Sequence, residues 1–176
     1  MCTWESEEAA DEFLERSELM LEYRLHAYEI WTVKLLPTQA HGLWDGMQPF
    51  TPQLSEKQHE GPVAVLTRAS INWRALPQFW RFTPKVSKSL DEAKGLVCSI
   101  GLGEIPLIRQ ATFSVWESLE AMKAYAYQGT LHKEVIKRTR AEKWYSEELF
   151  ARFIPVEGQG LWNGVNPLAS VLSISK

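Results

Sequence analysis

Four histidines, two cysteines and a set of arginines are the residues of this chain with chemistry to offer, and their spacing decides how much. His132 is the informative one. It stands at i, i+3, i+4 and i+7 with Val135, Ile136 and Thr139, so a helix there turns its imidazole onto an apolar stripe. An imidazole aimed into an apolar interior is able to ligate a haem iron. The plainer reading is a partly exposed residue near a helix start, just after Gly129 and Thr130. His26, His41 and His59 fall at a helix end, a turn and a polar linker, and read as surface residues. Arg109 shares a strand face with Ala111, Phe113 and Val115, at the rim of an apolar surface where the polar head of a ligand could be held. Lys137, Arg138 and Arg140 form a mostly solvated face, from which an arginine could reach a propionate or a distal ligand. Gly101 and Gly103 are not followed by a helix start, so they make no phosphate loop. The chain shows no Ser–His–Asp, C-x-x-C or H-E-x-x-H pattern, and neither nucleophilic hydrolysis nor zinc chemistry is supported.

These residues must be positioned by a fold. Pro62–Ile71 (PVAVLTRASI) is rich in β-branched residues and reads as a strand. Asn72–Phe82 places Trp73, Leu76, Phe79 and Trp80 at helical spacing, with Pro77 suited to a helix start. Gly95–Ile105 and Ile108–Trp116 read as two strands joined by a turn at Gly103–Pro106, Glu117–Trp144 as helix broken at Gly129, and Tyr145–Pro155 as the last strand. The order βαββαβ is a ferredoxin-like plait. With both helices on one side, the other sheet face is apolar and must be covered. The last strand should bury both sides, Leu149, Ala151 and Phe153 on one and Phe150 and Ile154 on the other.

A cover is suggested by an internal repeat. GLWDGMQPF (Gly42–Phe50) returns as GLWNGVNPL (Gly160–Leu168), 118 positions later, and at that offset Pro37 falls on Pro155 and Glu29 on Glu147. Upstream, WES at Trp4–Ser6 returns at Trp116–Ser118, now 112 positions later, so the second copy holds six extra residues. A period this long describes two related domains, not a solenoid. Residues 1–50 are thus expected to be a partial first repeat, 51–61 a linker, and 62–176 a complete plait. The first copy should keep one helix, Glu5–Glu29, with Ala10, Phe13, Leu14, Ser17, Leu21, Leu25 and Tyr28 on its apolar stripe, and a strand, Ile30–Leu36. Before these, where the second copy has three strands and a helix, the sequence has only Met1–Thr3.

Composition narrows the partners. Charged residues are 23% and the net charge is −3, so there is no basic footprint for nucleic acid. Cys2 and Cys98 make no disulfide framework, which suggests a reducing compartment. No apolar run approaches the ~20 residues of a membrane helix, and the acidic opening is unlike a signal peptide. A cytoplasmic location is expected. Eight tryptophans suggest a large aromatic core or a flat apolar ligand.

Four stretches, GPVAVLTRASI, IGLGEIPLIRQATFSVW, HKEVIKRTRAEKWYSEELFARF and GLWNGVNPL, resemble the spheroidene monooxygenase family of acyclic-carotenoid 2-ketolases, and WTVKLLPTQAHGLWDGMQPF resembles an earlier segment of the same proteins. The resemblance covers nearly the whole chain. It implies a dimeric α+β barrel built of ferredoxin-like plaits, a haem cofactor, O2 as oxidant and a small electron donor such as ferredoxin. It implies an additional segment before the position of Trp4, and leaves a homodimer and peripheral membrane contact as further partners. It favours His132 as the axial ligand, with Arg140, Trp144 and Tyr145 of the same motif set near a propionate or the distal side and Arg109 at the rim. The implied reaction is a monooxygenation at the end of an acyclic carotenoid or similar apolar lipid, hydroxylation followed by ketone formation. The alternative is a non-catalytic barrel that binds haem or a small ligand, since one fold hosts many functions.

Overall fold

A computed structural model of the protein describes residues 1–53, 59–128, 137–139 and 141–172. Two short helices, α1 (Glu7–Arg16) and α2 (Glu18–His26), lead into strand β1 (Trp31–Gly42). The plait follows: β2 (Val63–Ile71), α3 (Leu76–Asp91), β3 (Leu96–Ile105), β4 (Arg109–Trp116), α4 (Leu119–Gln128) and β5 (Tyr145–Gly160), with a last turn of helix, α5 (Ala169–Leu172). Five strands form one sheet in the order β1-β5-β2-β4-β3, every described pairing antiparallel. Its last four strands have the ferredoxin-like order, and the fold is α+β as expected.

The period-2 alternation of β2 assigns its two faces. Val63 and Val65 pack with Trp116 and Met122 beneath α4, and Ile71 packs with Ala75 and Trp144 beneath α3; this is the helix face. Ala64 and Leu66 point the other way, into a second core with Ala111, Phe113, Val115, Leu149, Ala151 and Phe153; this is the inner face. On β5, Leu149, Ala151 and Phe153 are buried, and Phe150 and Ile154 behind them are half-buried. Phe50 and Leu168, the last residues of the two repeated nonapeptides, close over the inner face, Phe50 edge-on to Phe153 at 5.0 Å between ring centroids.

Several boundaries differ from those read in the sequence. The helix expected over Glu5–Glu29 breaks at Ser17, which caps the end of α1 in an extended conformation while its hydroxyl accepts from the Met20 amide to start α2. The break shifts the helical phase, so Met20 is buried while Leu21, Leu25 and Tyr28 of the expected stripe are exposed. Strand β1 runs on past Pro37, absorbing it with register shifts between Lys34 and Leu35 and between Pro37 and Gln39. Strand β5 likewise continues past Pro155. The β3–β4 turn lies beyond Ile105, with Leu107 at φ +69°, and Gly103 is still in the strand.

Strands β1 and β5 pair about a local two-fold. Trp31 lies opposite Gly160 and Gly42 opposite Leu149, and in the middle Leu36 faces Ile154, its own counterpart at the repeat offset. The loops obey the same operation. Leu43 N–H donates to Glu148 O at 2.8 Å and Leu161 N–H to Ile30 O at 3.0 Å. Gly46 N–H donates to the Glu147 carboxylate at 2.8 Å, and Gly164 N–H to that of Glu29 at 2.8 Å. Gly42 and Gly160 adopt φ +85° and +84°; a Cβ on either would run into the carbonyl oxygen of the opposite strand's entry, Glu148 or Ile30. The repeated GLW-x-G motif is therefore a latch, each copy's loop clamping the start of the other copy's last strand.

Candidate active site

The inner face is closed over β5 and β2 and open toward β3. Ile100 pairs with Phe113 and Leu102 with Ala111, so both project from the inner face, and they are 40% and 43% exposed. Cys98 lies on the same strand face opposite Val115, and burial pushes its thiol up to about 11 against a weaker lowering contact from the Val115 backbone. It is a neutral, packed side chain rather than a nucleophile.

Charge is confined to one end of this strip. Arg68, the residue after Thr67 on β2, is fully enclosed and holds three carboxylates: Glu104 through two hydrogen bonds of 2.9 Å, Glu147 at 2.6 Å and Asp45 at 3.3 Å. Its guanidinium carbon also lies 5.0 Å from the centre of the Trp44 ring. The bonds to Glu104 and Glu147 raise its already high pKa against the opposing effect of burial, so it is a permanent cation. The carboxyl of Glu147 is held below the ordinary glutamate value, first by the Gly46 amide and then by the Asp45 amide and Arg68, against some desolvation. Arg109 reaches the outer side of the same cluster, 2.9 Å from Asp45, with about a third of its side chain in solvent. It stands at the rim of an apolar strip.

The other expected site residues lie apart from Arg109. Trp144 is buried beneath α3 with Ile71, Ala75 and Phe82, and its indole donates to Glu142 at 2.7 Å. Tyr145 packs beside Phe79 on that same helix face, and desolvation, with a smaller effect of Glu148, pushes its phenol up to about 12. Together they anchor the segment arriving from residues 137–139, where the Trp144 amide donates to Thr139 O at 3.0 Å. His132 and Arg140 lie outside the described residues. The described histidines do not face the inner strip: His26 ends α2, His41 stacks on Phe150 at 5.0 Å, and His59 bonds the Pro62 carbonyl at 2.9 Å. Among the described residues there is also no cluster of metal-ligating side chains.

The Arg68 cluster was not foreseen. Its signal was one arginine inside an otherwise apolar strand, but its partners lie 23, 36 and 79 residues away, and nothing local announces them.

Residues 63–153 match the family described as Domain of unknown function (DUF3291). A spheroidene monooxygenase of Rhodobacter capsulatus is 39% identical over 171 residues, covering 97% of this chain and 71% of that protein. The chain belongs to the spheroidene monooxygenase family. A second member, from Rubrivivax gelatinosus, is 44% identical over 161 residues, covering 92% of this chain and 61% of its own length. The chain thus spans about six to seven tenths of these relatives. A solved Fusobacterium nucleatum protein that carries a monooxygenase name superposes with a TM-score of 0.54 over 93% of this chain and 70% of that one, at 9% identity, a likeness of fold. Membership places the chain in a family of oxygenases.

Proposed function

We propose that the chain carries out oxygen insertion on an apolar, acyclic carotenoid-like molecule laid along the inner face of the sheet. The observation that carries this reading is the strip formed by Ile100 and Leu102, apolar and open, with ionised groups kept to the end where Arg109 and Asp45 meet. A hydrocarbon chain is recognised by shape and dispersion, and such a strip offers that and little else. Each insertion takes O2, two electrons and two protons and releases water; a second insertion at the same carbon gives a geminal diol, which loses water to the ketone. Electrons come from a small donor such as a ferredoxin. Haem, held through His132, would supply O2 activation. Arg109 would hold a propionate or another polar group at the rim, Arg140 would act near it, and Trp144 with Tyr145 would fix the segment that carries both His132 and Arg140.

The test is expression in a host that makes acyclic carotenoids, with product analysis and an absorption spectrum of the purified protein. Hydroxylated and ketonic products together with a Soret band are expected. His132→Ala should abolish haem retention while His41→Ala leaves it intact. A Soret band of equal intensity in both variants would remove His132 as the ligand. Bound haem with no oxygenated product, when an active relative is productive in the same host, would leave a haem-binding protein and no enzyme.

A further inference from the structure

The outer surface of α3 differs in charge from the rest of the molecule. Leu76, Phe79 and Phe82 turn inward onto Ile71, Ala75 and Trp144, which leaves Arg74, Gln78, Arg81, Lys85 and Lys88 at i, i+4, i+7, i+11 and i+14 as one exposed ridge. From Asn72 to Leu90 the sequence holds no acidic residue. Lys88 meets Glu92 loosely, at 3.8 Å with both side chains largely in solvent, and Arg74, Arg81 and Lys85 form no ion pair among the described residues. The segment leading into β5 widens the ridge. The Arg138 guanidinium lies over the Phe82 ring at 5.2 Å, with Lys137 exposed beside it, and Lys143 lines an open cleft of about 470 Å³ with Asn72, Trp73, Arg74 and Gln78. Glu142 is the one described acid in that segment, and its carboxylate accepts from the Trp144 indole at 2.7 Å. The whole chain has a net charge of −3, so this basic face is set against a remainder more acidic than the total. In the cleft Trp73 is 71% exposed, and the Arg74 guanidinium carbon lies 4.9 Å from its ring centre. An exposed indole beside arginine, in a hollow with a cationic rim, has the composition of a protein-binding hot spot.

We infer that the face made by α3 and residues 137–139 and 141–143 is the docking surface for a small acidic protein, whose carboxylates meet the cationic ridge while one of its side chains fills the cleft over Trp73. The occupant is a compact anion, because a nucleic acid running beyond the ridge would meet the acidic remainder of the chain. A bilayer fits no better, since the ridge itself carries no apolar side chain to enter the interface. The face lies over the Phe82–Trp144 and Phe79–Tyr145 contacts, so a protein seated there stands against the segment that leads into β5. Identifying that protein as the electron donor of the proposed oxygenation rests on the oxygenase reading; the docking rests on the surface alone.

The test uses the full chain and a plant-type ferredoxin, a small acidic protein, with affinity measured by calorimetry. Binding is expected to weaken about tenfold as ionic strength rises from low to physiological. Arg81→Glu combined with Lys85→Glu should weaken it at least about tenfold and Trp73→Ala by a similar factor, while Lys123→Glu, exposed on α4, leaves it as in the parent. All four positions are exposed, so each variant should melt as the parent does and a loss of affinity reports on docking. Equal ferredoxin binding by the charge-reversed chain and the parent would overturn the inference, as would tighter charge-dependent binding to phosphatidylserine vesicles or duplex DNA than to ferredoxin. Patch-dependent ferredoxin binding with no oxygenated product would leave the docking face standing and remove the oxygenase. Undiminished product from the charge-reversed chain at limiting ferredoxin would leave the oxygenase standing and overturn this face as the donor's seat.

Discussion

The two copies of the repeat agree where local sequence rules and part where packing rules. Helices α1 and α4 have the same limits at the 112-residue offset, and each is capped by the serine of its WES, Ser6 accepting from Ala9 and Ser118 from Ala121, both at 3.2 Å. Trp4 lies tilted against Phe13 at 4.8 Å between ring centroids as Trp116 does against Tyr125 at 5.2 Å. Yet Trp116 is 2% exposed and Trp4 42%, because only the second copy has strands β2 to β4 beneath its helix. Caps and turns are written in a few neighbouring residues; burial needs a sheet.

That contrast can be broken in order of size. Trp116→Ala should cost about 3–5 kcal/mol of unfolding free energy in urea, as for a buried aromatic, and Trp4→Ala well under half of that. Equal losses would mean that the first copy's helix is as well packed as the second's. The two latch glycines should instead behave alike. Gly42→Ala and Gly160→Ala are each expected to cost about 1–3 kcal/mol from left-handed strain, with more if the carbonyl they meet does not yield. A large inequality in the same melts would show that only one loop is clamped. Next come the caps, where Ser6→Ala and Ser118→Ala should each cost about 1 kcal/mol. A loss at Ser118 alone would make the first cap a passive turn.

The smallest effect is a pH dependence at the first latch. Glu147 has a folded-state pKa below its unfolded one, so its contribution to stability is complete above the ordinary glutamate value of ~4.3 and is lost as pH falls through the lowered folded value. Stability measured from pH 5 downward should fall less steeply in Glu147→Gln than in the parent chain. An unchanged slope would show that the Glu147 carboxylate does not anchor the first loop.

Much of this was legible. The β-branched richness of PVAVLTRASI identified β2 and the turn before Ile108 the return of β4, and the GLW-x-G repeat together with WES marked two loops and two helix starts of matching conformation. The helix break at Ser17 had its signal too, a serine followed by Glu18, but a continuous apolar count ran through it. Pro37 and Pro155 were read as strand ends because proline lacks a ladder donor, and the register shifts beside Pro37 show how β1 absorbs it. The ion cluster around Arg68 was beyond reach, since its residues are joined only by the sheet register and by the first latch folding across it. At the candidate site, Arg109 was placed by face alternation alone, whereas Trp144 and Tyr145 were not separable from it in sequence; only strand pairing shows that they lie on the opposite side of the sheet.

The central contact of β1 with β5, where Leu36 meets Ile154, is the place at which the chain touches its own repeat. In a dimer of identical subunits such a point is isologous, so every substitution arrives twice and must suit itself. Tethering the copies in one polypeptide ends that doubling. Each half is then free to drift separately, and the result is visible in the turn residue of the motif: Asp45 has entered an ionic cluster with Arg68 and Arg109, while Asn163 at the mirror position carries no charge. Fusion has allowed an inherited symmetry to diverge: both loops bind a glutamate carboxylate, but only the first adds a charge of its own at the turn.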